Sequence, residues 1–100
     1  MRVAWTDTAR DHLDAIHSYI ARSSPQYALQ TVDRITRRSI QIADMPMSGR
    51  IVPEFDKPQI REVGEGPYRI IYHIRPDRVD VLAVIHGARD VLRSQSGDEA

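Results

Sequence analysis

Tyr68–Asp90 reads YRIIYHIRPDRVDVLAVIHGARD. Tyr68, Ile70, Tyr72 and Ile74 alternate with Arg69, Ile71, His73 and Arg75, the period of a β-strand. Arg75-Pro76-Asp77-Arg78 is a turn, with proline at its favoured second position. Val79–His86 follows as a second strand. Its Val81–Ile85 run is apolar on both faces, which suits a central place in a sheet. The stretch ends in a polar cluster, His86-Gly87-Ala88-Arg89-Asp90.

Working back from this hairpin, Ile60–Val63 reads as the preceding strand and Gly64–Pro67 as its turn. Simple antiparallel counting from an Arg75/Arg78 pair sets His73 opposite Asp80, Ile71 opposite Leu82 and Arg69 opposite Val84. His86 then shares a face with Arg69. A three-residue loop before the hairpin would add Arg61 to that face, whereas a two- or four-residue loop would turn it away.

The first half of the chain carries a different period. Arg2–Trp5 is a short opening strand. Thr6 is placed to cap a helix over Asp7–Arg22, with Ala9, Leu13, Ile16 and Ile20 on one face. Ser24 and Pro25 open a second helix to Ala43, with Ala28, Val32, Ile35 and Ile42 as its buried stripe and Ser39 as a small residue in the gap. The short link makes the pair an antiparallel helical hairpin. Asp44–Pro58 holds Pro46, Gly49, Pro53 and Pro58 and forbids a long regular element. The order is β-α-α-β-β-β: an α+β fold with a helical hairpin packed on a small antiparallel sheet. Residues 1–93 form one domain, and 94–100, small or acidic, form a disordered tail.

Composition narrows the function classes. The chain has 100 residues, 41% hydrophobic and 28% charged, with a formal net charge of zero. That balance is ordinary for a globular domain and does not announce a nucleic-acid binder. The absence of cysteine removes disulfides and thiolate metal sites. His12 and His17, five apart on one helix, are poorly spaced for a shared metal. No apolar run reaches the roughly 20 residues of a membrane span, and the first residues lack the apolar core of a signal peptide, so the expected location is the cytoplasm. Every cation except Lys57 is an arginine, a side chain whose fork suits carboxylates and phosphates.

The chain resembles the RelE/ParE superfamily of bacterial type II toxin–antitoxin toxins, most closely the ParE type. The resemblance is carried by Ala9, Leu13, Ile16 and Ile20, by the Ser24-Pro25 break with Ala28, and by Met45–Arg50 leading to Pro53-Glu54. Ile60-Arg61-Glu62, Tyr68–Tyr72 and the His86–Asp90 ending complete it. It implies a toxin that binds a cognate antitoxin in a hetero-oligomer, away from membranes and without a cofactor. The antitoxin would wrap along the sheet and helices as extra helix or strand. A ParE-type member poisons DNA gyrase and has no catalytic centre of its own. A RelE-type member instead cuts mRNA on the ribosome. A degenerate member would retain only antitoxin binding.

The nuclease alternative needs a general acid, a general base and cations around one phosphate. His86 is the natural proton-transfer group, Glu54 a weaker one, and Arg61, Arg69 and Arg89 the cations. The lysines and C-terminal tyrosine of many RelE-type sites are absent, since only Lys57 is present and no tyrosine follows Tyr72. As partner contacts, the expected residues are Arg89 and Arg93 past the last strand, and Arg34, Arg37 and Arg38 on the second helix. Each has a plainer structural reading: Arg61 and Arg69 can pair with Glu54 or Glu62, and the helix arginines can simply be solvated.

Overall fold

The computed structural model describes residues 1–87. Ala88–Asp90, Arg93 and the tail at 94–100 lie outside the described residues. The elements are β1 (Arg2–Trp5), α1 (Asp7–Ala21), α2 (Pro25–Asp44), a single 3-10 turn (Pro46–Ser48), β2 (Arg50–Ile51), β3 (Ile60–Glu65), β4 (Tyr68–Ile74) and β5 (Arg78–His86).

Both helices start where their caps predict. Thr6 Oγ1 accepts the Ala9 N–H at 3.1 Å, and Ser24 Oγ accepts the Tyr27 N–H at 3.1 Å, with Pro25 in the first turn. Each cap contributes about 1 kcal/mol. In α2 the buried residues are Ala28, Thr31, Ile35, Ser39, Ile42 and Ala43. Thr31 takes the place expected of Val32, which is half-buried. Its hydroxyl is satisfied within the helix by donating to Tyr27 O at 2.9 Å, so its burial leaves no polar group stranded.

The sheet runs β1-β5-β4-β3-β2. Its β2-β3-β4-β5 part is antiparallel, and β1 adds to β5 in parallel, with Trp5 opposite Val81. The helices and 52–58 pack on opposite faces. On the helix side Ala9, Ile35 and Ile42 meet Val63, Ile70, Tyr72, Val79, Val81 and Val84. On the outer side Val52, Ile60, Ile71, Ala83 and Ile85 form a second cluster, packed by Phe55 and Leu82.

Two local features set which side chains share a face, and the first overturns the simple count. β5 carries a bulge: Ile71 lies opposite Ala83 and Tyr72 opposite Val81, so Leu82 is supernumerary. Leu82 and Ala83 both serve the outer cluster. From Ala83 onward the count slips by one, and Arg69 opposes Ile85 rather than Val84. His86 opposes Tyr68 and therefore stands on the helix side, not beside Arg69. His73 still opposes Asp80, because that pair lies before the bulge.

The second feature is the β3–β4 connection. Glu65 opposes Tyr68, leaving a two-residue loop, Gly66-Pro67, with Gly66 at φ +58°. That conformation favours glycine. Arg61 therefore opposes Tyr72, while Glu62 shares the outer face with Arg69.

Polar groups finish the edge where β1 stops. Thr6 N–H donates to Val81 O at 3.1 Å, and Thr6 Oγ1 donates to Val81 O at 3.0 Å. One step on, Val84 N–H donates to Nδ1 of His12 at 3.2 Å. His12, one turn into α1, thus takes the hydrogen bond that a longer β1 would have made.

Candidate functional site

Arg69 anchors the outer face. It reaches Glu62 at 2.6 Å and Glu54 at 3.3 Å. Glu62 is 5% exposed and its other oxygen is held by Arg50. Burial works against the Arg69 charge, but hydrogen bonds and the charges of Glu54 and Glu62 outweigh it and hold the guanidinium above its ordinary value. Glu54 comes from the proline-rich segment, so the network fastens that segment to β3 and β4.

Arg61 points the other way and laces the ends of the same segment. Its Nε donates to Pro58 O at 2.9 Å and its Nη1 to Gly49 O at 3.0 Å. Beneath it, the Tyr72 hydroxyl donates to Pro46 O at 2.7 Å and accepts the Gly49 N–H at 3.1 Å. Burial raises the Tyr72 phenol above its ordinary pKa, so it stays a neutral donor. Gly49 is fully enclosed here. A Cβ on it would stand 2.6 Å from Glu62 O and collide with the Tyr72 hydroxyl.

His86 stands apart from both arginines. It is exposed, with its ring edge-on to Tyr68 at 6.0 Å and 81°. It borders a hollow of about 260 Å³ shared with His12, Ile16, Tyr19 and Tyr68. Of the residues expected around one phosphate, Arg69 and Glu54 meet on the outer face, Arg61 is committed to backbone carbonyls, His86 is on the helix side, and Arg89 lies outside the described residues. Among the described residues, no group of three His, Asp or Glu is placed to hold a metal ion.

The helix arginines divide. Arg37 pairs with Asp33 on its own helix. Arg34 lies over the Tyr27 ring at 5.6 Å, as Arg22 lies over Tyr19 at 5.7 Å. Tyr19 is 72% exposed and Tyr27 51%, so these rings are presented to solvent rather than packed. Arg38, bonded to Gln41 at 3.2 Å, faces a groove of about 460 Å³ that also contains Arg50, Glu62 and Arg69. Arg50 and the exposed tyrosines of the hairpin were not among the expected partner contacts. The sequence signals for Arg50 are its place in the Met45–Arg50 motif and beside Gly49, at the end of a segment that must return to the sheet.

The comparisons with known proteins give one family and one similar fold. A family model described as the ParE toxin of type II toxin-antitoxin system, parDE, matches residues 3–91. A solved structure described as the chromosomal ParDE TA system from P. aeruginosa is similar in fold, with a TM-score of 0.72 at 22% identity. The match covers 86% of this chain and 95% of that one. No curated protein matches.

Proposed function

The chain belongs to the ParE toxin family of type II toxin–antitoxin systems, and from that premise we propose that it arrests growth by poisoning DNA gyrase in the cytoplasm. A cognate antitoxin neutralises it in a hetero-oligomeric complex. Beyond family membership, one observation supports a binding protein over a nuclease. His86 and Arg69 stand on opposite faces of the sheet, and Arg69 is already held by two carboxylates. Proton transfer and phosphate stabilisation need their groups around one reacting centre. The exposed Tyr19, Tyr27 and Arg34 and the half-buried Arg38, by contrast, are residue types that concentrate binding energy at protein interfaces. Arg34, Arg37 and Arg38 are proposed as antitoxin or gyrase contacts, together with Arg89 and Arg93.

Controlled expression tests this reading. Thymidine incorporation should fall before leucine incorporation, and purified gyrase should accumulate cleaved DNA in the presence of the protein. Co-expression of the adjacent antitoxin should restore growth. Early loss of protein synthesis with cleaved mRNA would replace the gyrase reading by the nuclease one. A His86→Ala variant should keep its toxicity, whereas a nuclease using His86 as acid or base would lose roughly a hundredfold or more in rate.

A further inference from the structure

Tyrosine side chains gather at the end of the molecule where α1 gives way to α2 and β3 turns into β4. Tyr19, Tyr27 and Tyr68 line one hollow of about 190 Å³. Tyr19 and Tyr68 continue into the hollow of about 260 Å³ that ends at His86. The three phenols act on one another: burial raises the Tyr68 pKa above its ordinary value, with Tyr27 and Tyr19 adding to it. Among the residues lining the two hollows, every Ile and Val is buried or half-buried. The large side chains exposed there are Tyr19, Tyr27, Arg34 and His86.

Two cations belong to the same end. Arg22 lies over the Tyr19 ring at 5.7 Å and Arg34 over the Tyr27 ring at 5.6 Å. Among the described residues neither forms an ion pair, unlike Arg10, Arg37, Arg50, Arg69, Arg75 and Arg78. Arg34 gives one hydrogen bond of 3.4 Å, to Thr31 Oγ1. A guanidinium held against a ring keeps N–H edges for an oxyanion. At 72% and 51% exposure, the Tyr19 and Tyr27 rings offer surface beyond the part that the arginines cover. Rings beside unpaired guanidiniums match a single nucleic-acid strand, whose bases stack and whose phosphates take the cations. The chain is neutral as a whole, so this attraction is local. An acidic peptide would use the guanidiniums and leave the ring faces idle. A helix docking through aliphatic anchors would find none exposed in these hollows. Glu65, the carboxylate lining the smaller hollow, can only accept, so it suits a base amino group and not a phosphate.

We propose that this end of the toxin binds single-stranded DNA, stacking unpaired bases on Tyr19 and Tyr27 and holding their flanking phosphates with Arg22 and Arg34. The proposal rests on the gyrase reading above and adds to it: the toxin touches the DNA that gyrase cleaves as well as gyrase itself.

The test measures binding of a labelled oligothymidine to the full chain by fluorescence anisotropy, beside a DNA duplex and an RNA strand of the same length. Oligothymidine should bind more tightly than either. Its log affinity should fall against log salt with a slope of about −1.4, roughly 0.7 for each of two phosphates. Tyr19→Ala and Tyr27→Ala should each weaken binding about tenfold, whereas Tyr19→Phe keeps the ring and should bind as wild type. Arg22→Gln should make the slope shallower by about 0.7, and Arg10→Gln, whose charge is paired with Asp7, should leave it unchanged. Unfolding midpoints establish that the variants fold. Wild-type affinity in both alanine variants, salt-independent binding, or tighter binding of the duplex or the RNA would overturn the proposal. Loss of antitoxin or gyrase binding in Tyr19→Ala, with oligothymidine binding intact, would give this end to a protein partner and overturn it too. Gyrase cleavage complexes formed by a chain that binds no oligothymidine would overturn the DNA contact and leave the gyrase reading standing. Oligothymidine binding without cleavage complexes would support the contact and remove the gyrase reading.

Discussion

Gly49 has the tightest surroundings of the described glycines. Its missing side chain lets the Tyr72 hydroxyl take its N–H while Glu62 O passes alongside. Gly49→Ala should destabilise the fold by about 3 kcal/mol, read from urea unfolding, because one of the colliding atoms is backbone and cannot swing aside. His12 offers a second test. His12→Ala leaves Val84 N–H without its acceptor and should cost about 1–3 kcal/mol, while His12→Asn, which keeps an acceptor, should recover part of it. The Arg69–Glu62 pair is subtler. Arg69→Met strands a buried carboxylate on Arg50 alone and should cost about 3 kcal/mol. Adding Glu62→Met should restore much of that loss, so a double-mutant cycle will show strong non-additivity. The sequence made Arg69–Glu62 pairing visible as one option, because both residues sit in neighbouring strands. It did not reveal His12, since nothing in an i, i+4 helix pattern says that a side chain ends another element's edge.

At the scale of the element, the β4–β5 turn should give the fold its pH dependence. Hydrogen bonding from Arg78 holds the Asp80 carboxyl below its ordinary value against the opposing effect of burial, with Arg75 adding to it. A depressed carboxyl stabilises the fold above its unfolded pKa of about 4, and that stability is lost as pH falls through the lower folded value. His73 is pushed down by burial first and by Arg75 and Lys57 after it, although Asp80 pulls the other way. Its unfolded form takes a proton near pH 6.5, before the folded form does, so stability should begin to fall below about pH 6.5. Chemical denaturation from about pH 3 to about pH 8 should show both limbs. Asp80→Asn should remove the acid limb and His73→Gln the near-neutral one. The helices and the hairpins of this element order were legible because caps, proline placement and side-chain period all agreed. Face parity was not. The Val81–Ile85 run is apolar on both sides, so it carries no alternation that a bulge could visibly interrupt.

At the scale of the whole molecule, one sheet separates two apolar clusters, and neither is large. Ile35 lies in the helix-side cluster and Val52 in the outer one, both with no exposure. Ile35→Ala should cost about 2–5 kcal/mol and Val52→Ala less, in proportion to the atoms removed. Both should shift a single unfolding transition with an unchanged denaturant slope, since β3, β4 and β5 contribute to both clusters. A transition that splits in Val52→Ala would mean that the outer layer melts independently. The α+β architecture could be read from the chain because the helix-period and strand-period halves are separate in sequence. The parallel seat of β1 beside β5 could not, because four residues with no turn signal give no pairing direction.

The extra residue in β5 leaves a trace that can be seen without any structure. A saturation map of tolerated substitutions along this strand should alternate up to Val81, lose its beat over Leu82 and Ala83, and resume in the opposite phase from Val84. That phase slip is the genetic signature of the bulge, and deleting Leu82 should restore plain alternation while leaving Val84, Ile85 and His86 on the faces they already hold.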